Sequence, residues 1–265
     1  MDEAARYNIE RWGNLVEANA LFTRPLLDLT PETAQTTVDP EGLFGDLTGK
    51  RVLCLASGGG QQSAAFGLLG AKVTVVDIAT GQLERDREAA SHYGLQIETI
   101  QGDMRDLSAI KSTDFDLVYQ PYSLGFVPDA SVVFEQVSKV IRPGGIYFFA
   151  IGNPFYAGLS QADWNGKGYS LNSHYIEGEL VVTPDPEWVY PEGAEELSRK
   201  TPEVREYRQT FGKLLTSLIG LGFTLTHFSE TKHRFPDPTA KPGTWDHFIS
   251  VAPPWLHFWL RYQPD

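Results

Sequence analysis

VLCLASGGGQQS, residues Val52–Ser63, passes from an apolar β-type run through three adjacent glycines into small, helix-compatible residues. An apolar run without alternation marks a strand buried on both faces, the habit of parallel sheets. The strand is expected over Lys50–Leu55 and a helix over Gln62–Leu69. Adjacent glycines tolerate positive φ and omit the Cβ atoms that would keep a ligand away from the main chain. Outward from this stretch, AKVTVV (Ala71–Val76) reads as a second strand ending at Asp77. A helix over about Thr80–Tyr93 follows, with Thr80 as N-cap and Gly94 at the C′ position. Gln96–Gln101 and Phe115–Gln120 read as strands three and four, Ser131–Ile141 as a helix with Phe134, Val137 and Ile141 on one face, and Ile146–Ile151 as strand five after Pro143-Gly144-Gly145. Strands alternating with helices, joined by right-handed crossovers, make a doubly wound α/β sheet.

The flanks read differently. Tyr7–Leu21 carries Ile9, Trp12, Val16 and Ala20 near helical spacing, which suggests a helix laid over a cleft. Residues 153–203 are rich in Pro, Gly, Trp and Tyr, with a weak strand candidate at Tyr175–Val182; a stretch this long between sheet elements reads as a lid or binding insertion. Helix is expected over Val204–Leu221, then an antiparallel strand pair, Phe223–Glu230 and Asp246–Ala252, joined by FPDPTAKPGT. The apolar tail Trp255–Trp259 reads as an interface or a lid clasp. The expected organisation is an N-terminal helical cap at 1–45 and one domain at 46–265 that carries the insertion.

Composition narrows the partners. A hydrophobic fraction of 42% is enough for a large core, and 21% charged residues is too few for a disordered chain. The net charge of −12 repels phosphate polymers and anionic lipid, so neither nucleic acid nor a membrane is an expected partner. MDEAARYNIERWGN places acids where an export signal carries bases, and no stretch approaches the roughly 18 apolar residues that span a bilayer. Cys54 is the sole cysteine, which excludes an intrachain disulfide and fits a reducing cytoplasm. His227, His233, His247 and His257 match no metal-ligand spacing, so no metal is expected. Oligomeric state stays open.

Asp77 stands 17 residues after Gly60 at a strand end, where a carboxylate can accept bonds from both hydroxyls of a ribose. Gly102-Asp103-Met104 places a second acid one strand along, able to bind an adenine amino group while Met104 packs on the ring. The two acids together address opposite ends of one nucleoside. The glycine turn alone, one substitution from G-x-G-x-x-G, suits a nicotinamide oxidoreductase nearly as well, and that reading stays open, as does a nucleoside-binding module without turnover.

The series VLCLASGGG, VTVVD, QGDM, FDLVYQ and RPGG, then a helix ending LGF and a strand, resembles the class I S-adenosylmethionine-dependent methyltransferases, in their small-molecule group. The likeness is good over Lys50–Ile151, moderate over Phe211–Ala252 and slight elsewhere. It implies a Rossmann-like seven-stranded, mostly parallel sheet with an antiparallel last strand, S-adenosylmethionine as cofactor and a small-molecule methyl acceptor. By the same resemblance Gly58 and Gly60 are the nucleotide-loop glycines, Asp77 the ribose acid, Asp103 the adenine acid and Gln120 the residue beside the methionine moiety. Ala56, Ser57, Ile78 and Met104 complete the implied cofactor contacts. Two positions depart from the family: Cys54 stands where an acid is usual, and Ala56 where the first loop glycine is usual.

Methyl transfer from a sulfonium is downhill and asks chiefly for in-line approach and desolvation. A hydroxyl acceptor would also want a base. The candidates are His174, by pKa type, and Tyr122, just past Gln120. Phe155, Tyr156, Trp164, Tyr169, Tyr175, Trp188 and Tyr190 either wall an acceptor pocket or glue the insertion to the body.

Overall fold

The computed structural model describes residues 1–171, 173–230 and 237–264. In chain order, helices α1 (Glu3–Glu17) and α2 (Pro31–Val38) precede β1 (Arg51–Leu55), α3 (Gln62–Leu68), β2 (Lys72–Asp77), α4 (Thr80–Tyr93), β3 (Ile97–Gln101), β4 (Phe115–Gln120), α5 (Ala130–Val140) and β5 (Ile141–Gly152). There follow β6 (Leu180–Thr183), α6 (Glu195–Lys200), β7 (Val204–Tyr207), α7 (Phe211–Gly220), β8 (Phe223–Ser229), α8 (Trp245–Val251) and β9 (Trp255–Tyr262). Seven strands form one sheet in the order β3-β2-β1-β4-β5-β9-β8, and β6 pairs with β7 in a separate antiparallel hairpin. All neighbours in the large sheet are parallel except β9, which is antiparallel to both β5 and β8. This is the expected doubly wound α/β sheet with its antiparallel last strand.

Burial on both faces explains the apolar runs. Leu53 and Leu55 point into a layer with Phe134, Tyr147, Phe149 and Leu214, while Val52 and Cys54 point the other way toward Phe66, Tyr119, Phe148 and Trp259. Strand order reverses between β1 and β4, and the crevice beyond their carboxyl ends is where such sheets bind ligands.

Several expectations need correction. Thr80 is not the N-cap of α4; Ala79 is, without a side-chain cap, and its amide is taken by Asp77. Gly94 does take the left-handed C-cap conformation, at φ 67. Helix α1 starts earlier than Tyr7 because the Asp2 side chain caps it by accepting from the Ala5 amide. Val204–Tyr207 is strand, not helix, since its partner β6 satisfies the backbone; of the weak candidate Tyr175–Val182, only Leu180 onward is extended in that pairing. Asp246–Ala252 is not a strand. Thr244 caps α8 there, Phe248 and Ile249 pack inward, and Pro253-Pro254 ends the segment. The strand expected there is instead the tail: LHFWL is buried on both faces within β9, wedged between β5 and β8. From Leu256 to Leu260 its apolarity is sheet interior, while Trp255 at its start is exposed. No helix among the described residues is long and apolar enough to cross a membrane.

Phe149, fully buried on β5 against Phe134 and Phe258, tests this layering. Phe149→Ala is expected to lower unfolding free energy in urea by about 3–5 kcal/mol. Ile219→Ala, on the exposed side of α7, is expected to change it by less than about 0.5 kcal/mol.

Candidate functional site

The turn after β1 is shaped by where Cβ atoms do not fit. A Cβ on Gly58 would lie 2.6 Å from Gln82 Cβ and 2.9 Å from Asp77 Oδ2. Gly60, at φ 71, would place one 2.5 Å from the Arg85 carbonyl oxygen. Ala56 sits at φ 46, the region glycine favours, so the departure from glycine there is accommodated at some strain.

Two buried carboxylates gather the turn's amides. Asp77 accepts from Gly58 N and Ala79 N, each at 2.9 Å. Asp86, on α4, accepts from Gly59 N at 3.2 Å, Gly60 N at 3.1 Å and the Ser63 hydroxyl. Burial raises both carboxyls above the usual range; for Asp86, burial and the neighbouring Asp77 charge outweigh the donors and lift it to about 7. Reading the sequence missed Asp86. Its signal was an acid three residues after Leu83 and four before Ala90, on the apolar face of the helix.

At the tip of β3, Asp103 is gripped by Arg105 at 2.6 Å, and Arg105 reaches on to Asp2 at 2.6 Å. The guanidinium's bonds hold the Asp2 carboxyl well below the usual carboxylate range, although Asp2 is half exposed. That chain of charges fastens the start of α1 over the strand tips.

These groups open on one chamber of about 740 Å³ at the switch between β1 and β4. Ala56, Ser57, Gly58, Asp77, Ile78, Asp103 and Met104 line one half. Gly60 and Gln120 lie outside the lining. Gly60 faces Arg85 and Pro25 behind the turn. Gln120 is wholly buried; it donates to Met104 Sδ and Ser123 Oγ and accepts from the Tyr147 hydroxyl. It therefore braces lining residues from behind. Cys54 also faces the core and leaves the chamber alone.

The other half is aromatic: Trp12 from α1, Phe126, Trp188, Trp245 and Trp255, with His257 on β9. Arg11 and Asp185 form a buried ion pair at 2.6 Å, to which Tyr190 donates at 2.8 Å, and Arg11 also donates to the Pro202 carbonyl. The pair staples α1 to the insertion across the chamber's roof. Tyr122 lies on this side, its hydroxyl against the half-buried Glu206 of β7; desolvation first and the Glu206 charge second raise its pKa well above the ordinary phenol value.

His174 does not reach the chamber. Its side chain is 84% exposed, 3.5 Å from Glu179. Of the seven insertion aromatics only Trp188 lines the chamber, and Tyr156 lines a smaller neighbouring pocket. Phe155 stacks on Tyr175, and Trp164 and Tyr169 pack on His247 of α8, so the rest mainly attach the insertion to itself and the body. Among the described residues no group of three or more His, Cys, Asp or Glu side chains is arranged to hold a metal ion; His233 lies outside those residues.

The raised Asp86 carboxyl sets a pH dependence. The folded chain holds that proton more tightly than the unfolded chain, so this contribution to stability is greatest below about pH 4 and declines until about pH 7. Urea unfolding of Asp86→Asn is expected to lose that part of the decline: the variant's stability relative to the parent rises from pH 5 to pH 7.5.

A family profile for the methyltransferase domain matches residues 53–149. The chain is 32% identical over 196 residues to the uncharacterized methyltransferase YbaJ of Bacillus subtilis, covering 74% of each protein. It is 29% identical over 202 residues to the ubiquinone biosynthesis O-methyltransferase of Chromobacterium violaceum, covering 76% of this chain and 78% of that one. In fold it is similar to an S-adenosylmethionine-dependent methyltransferase from Mesorhizobium loti, with a TM-score of 0.62 at 23% identity over 89% of this chain and 100% of the other. By the match to its signature domain and the extent of the likeness to YbaJ, the chain belongs to the class I S-adenosylmethionine-dependent methyltransferases.

Proposed function

We propose that the half of the chamber lined by Asp77 and Asp103 holds the cofactor, that the aromatic half holds a small-molecule methyl acceptor, and that the enzyme works in the cytoplasm. The observation that carries this reading is the continuity of the chamber from the acidic strand tips to Trp245 and Trp255 under a stapled roof. About 740 Å³ falls within the range of small-molecule sites. The single cysteine, a buried free thiol, agrees with a reducing compartment.

The residues fit an adenosine. Gly58 lets Asp77 pack against the turn, Asp77 offers carboxylate lone pairs to a ribose, and Asp103, held by Arg105, stands beside Met104 where an adenine would lie. Ala56, Ser57 and Ile78 supply the surrounding wall, while Gly60 and Gln120 act from behind it. When bound, S-adenosylmethionine supplies an activated methyl group; the chain's task is to orient the acceptor in line and keep water out. Residues 1–45 serve as a cap and the insertion at 153–203 as a lid, tied together by Arg11 and Asp185. Tyr122 stands at the acceptor end, and His174 takes no part.

Calorimetric titration with S-adenosylhomocysteine tests the cofactor half. Binding by the parent is expected, and Asp77→Asn is expected to weaken it by about 1.5–3 kcal/mol, the worth of a charge-assisted bond. No binding by the parent at millimolar ligand would overturn the reading.

A further inference from the structure

Charges facing the chamber are nearly all spoken for. Arg11 is held by Asp185, Arg105 by Asp2 and Asp103, and Asp77 by backbone amides. Glu206 is the exception: no salt bridge reaches it among the described residues, and it lines the chamber beside Tyr122. It also lines the neighbouring pocket, of about 220 Å³, so its carboxyl has one side toward the chamber and another toward a second, partly open space. Gly125 packs beside it: a Cβ there would lie in ordinary contact with Glu206 Oε1, at 3.4 Å. Tyr122 follows directly on β4, the strand at the switch point, whereas His257 stands on β9, separated from β4 by β5.

We infer that Glu206 is a catalytic residue that takes the acceptor's proton, and that the acceptor is an uncharged or cationic planar molecule presenting a hydroxyl or amine rather than a carboxylate. The inference rests on the reading of the aromatic half as the acceptor site. For a hydroxyl acceptor, the oxygen forms its new bond to the methyl carbon as the carbon–sulfur bond breaks, the electron pair of that bond stays on sulfur, and the hydroxyl proton passes to the Glu206 carboxylate. The neighbouring pocket then gives the proton a way out that does not cross the cofactor. The charge census of the chain sets the substrate class: both chamber guanidinium groups have carboxylate partners, so a carboxylate ligand would meet Glu206 without a free protein cation to offset it.

The groups that face Glu206 favour this role. Burial raises its proton affinity, opposed by the Tyr122 hydroxyl and the Arg11 charge, and a base somewhat stronger than an ordinary carboxylate suits proton abstraction. Val181, opposite it on β6, is uncharged. Arg208, two residues along β7, is turned to the Pro154 carbonyl and Glu179.

The probes are 2-naphthol and 2-naphthoate, which share a ring system and differ in charge, added to the enzyme saturated with S-adenosylhomocysteine. Naphthol is expected to bind at least tenfold more tightly, and Glu206→Gln to narrow that preference while leaving S-adenosylhomocysteine affinity unchanged. With S-adenosylmethionine and naphthol, Glu206→Gln is expected to lower kcat by about 10²–10⁴-fold and to replace the acid limb of the pH profile with a rate that climbs as naphthol itself ionises. Tyr122→Phe, which removes a bond to the carboxylate, is expected to move that limb to higher pH and keeps the test open if the first variant fails to fold. Equal or tighter binding of naphthoate, no binding of naphthol, an unaltered limb in Glu206→Gln, or loss of the limb in His257→Gln alone would overturn the inference. Failure of S-adenosylhomocysteine to bind the parent would instead sink the cofactor reading.

Discussion

Asp77 and Asp86 lie beneath the glycine turn and accept the amides of Gly58, Gly59 and Gly60. Those N–H groups belong to neither helix nor sheet, and buried without partners each would be a costly orphan. Three glycines in a row are otherwise the most freely moving stretch a chain can have. The two carboxylates, one from the neighbouring strand and one from the next helix, turn that freedom into a fixed concave surface. Burial of both carboxyls, and for Asp86 the nearby Asp77 charge, are the cost of the arrangement, seen in their upward displacement. The acidic end of the chamber depends on this turn holding its shape.

The rest of the chamber is built by closure over that surface. Helix α1 is tied down at its start through Asp2, Arg105 and Asp103, and near its middle through Arg11 and Asp185. Both ties join segments far apart in sequence, and both neutralise groups that would otherwise stand as bare charges in a confined space. A reaction that needs alignment and exclusion of water is served by such a roof. It also leaves Glu206 as a chamber carboxylate with no salt-bridge partner among the described residues.

The central sheet was legible because β1, β2, β4 and β5 are largely buried and the strands alternate with helices, so local apolarity reports their global place. Asp77, Asp103 and Met104 were legible for the same reason: strand ends in such a sheet converge on one crevice. Membership in the methyltransferase family closes the nicotinamide reading that the glycine turn left open. Gly60 and Gln120 were assigned by motif position, which does not tell which side of a wall a residue faces. His174 was attractive by chemistry alone, and the fold leaves it in solvent. The tail Trp255–Trp259 and the segment Asp246–Ala252 misled because short apolar runs fit strand, helix or surface patch until their neighbours are known.

By itself, the sequence determined a doubly wound sheet, a glycine turn and two acids at adjacent strand tips, since these follow from short-range apolar pattern and from spacing along βαβ units. Tertiary structure alone decided that Asp86 underpins the turn, that Arg11 meets Asp185, that β9 fills the sheet, and that Glu206 reaches Tyr122. Each of these is a meeting of groups from separate elements, set by packing and charge compensation in three dimensions, and no periodicity along the chain encodes it.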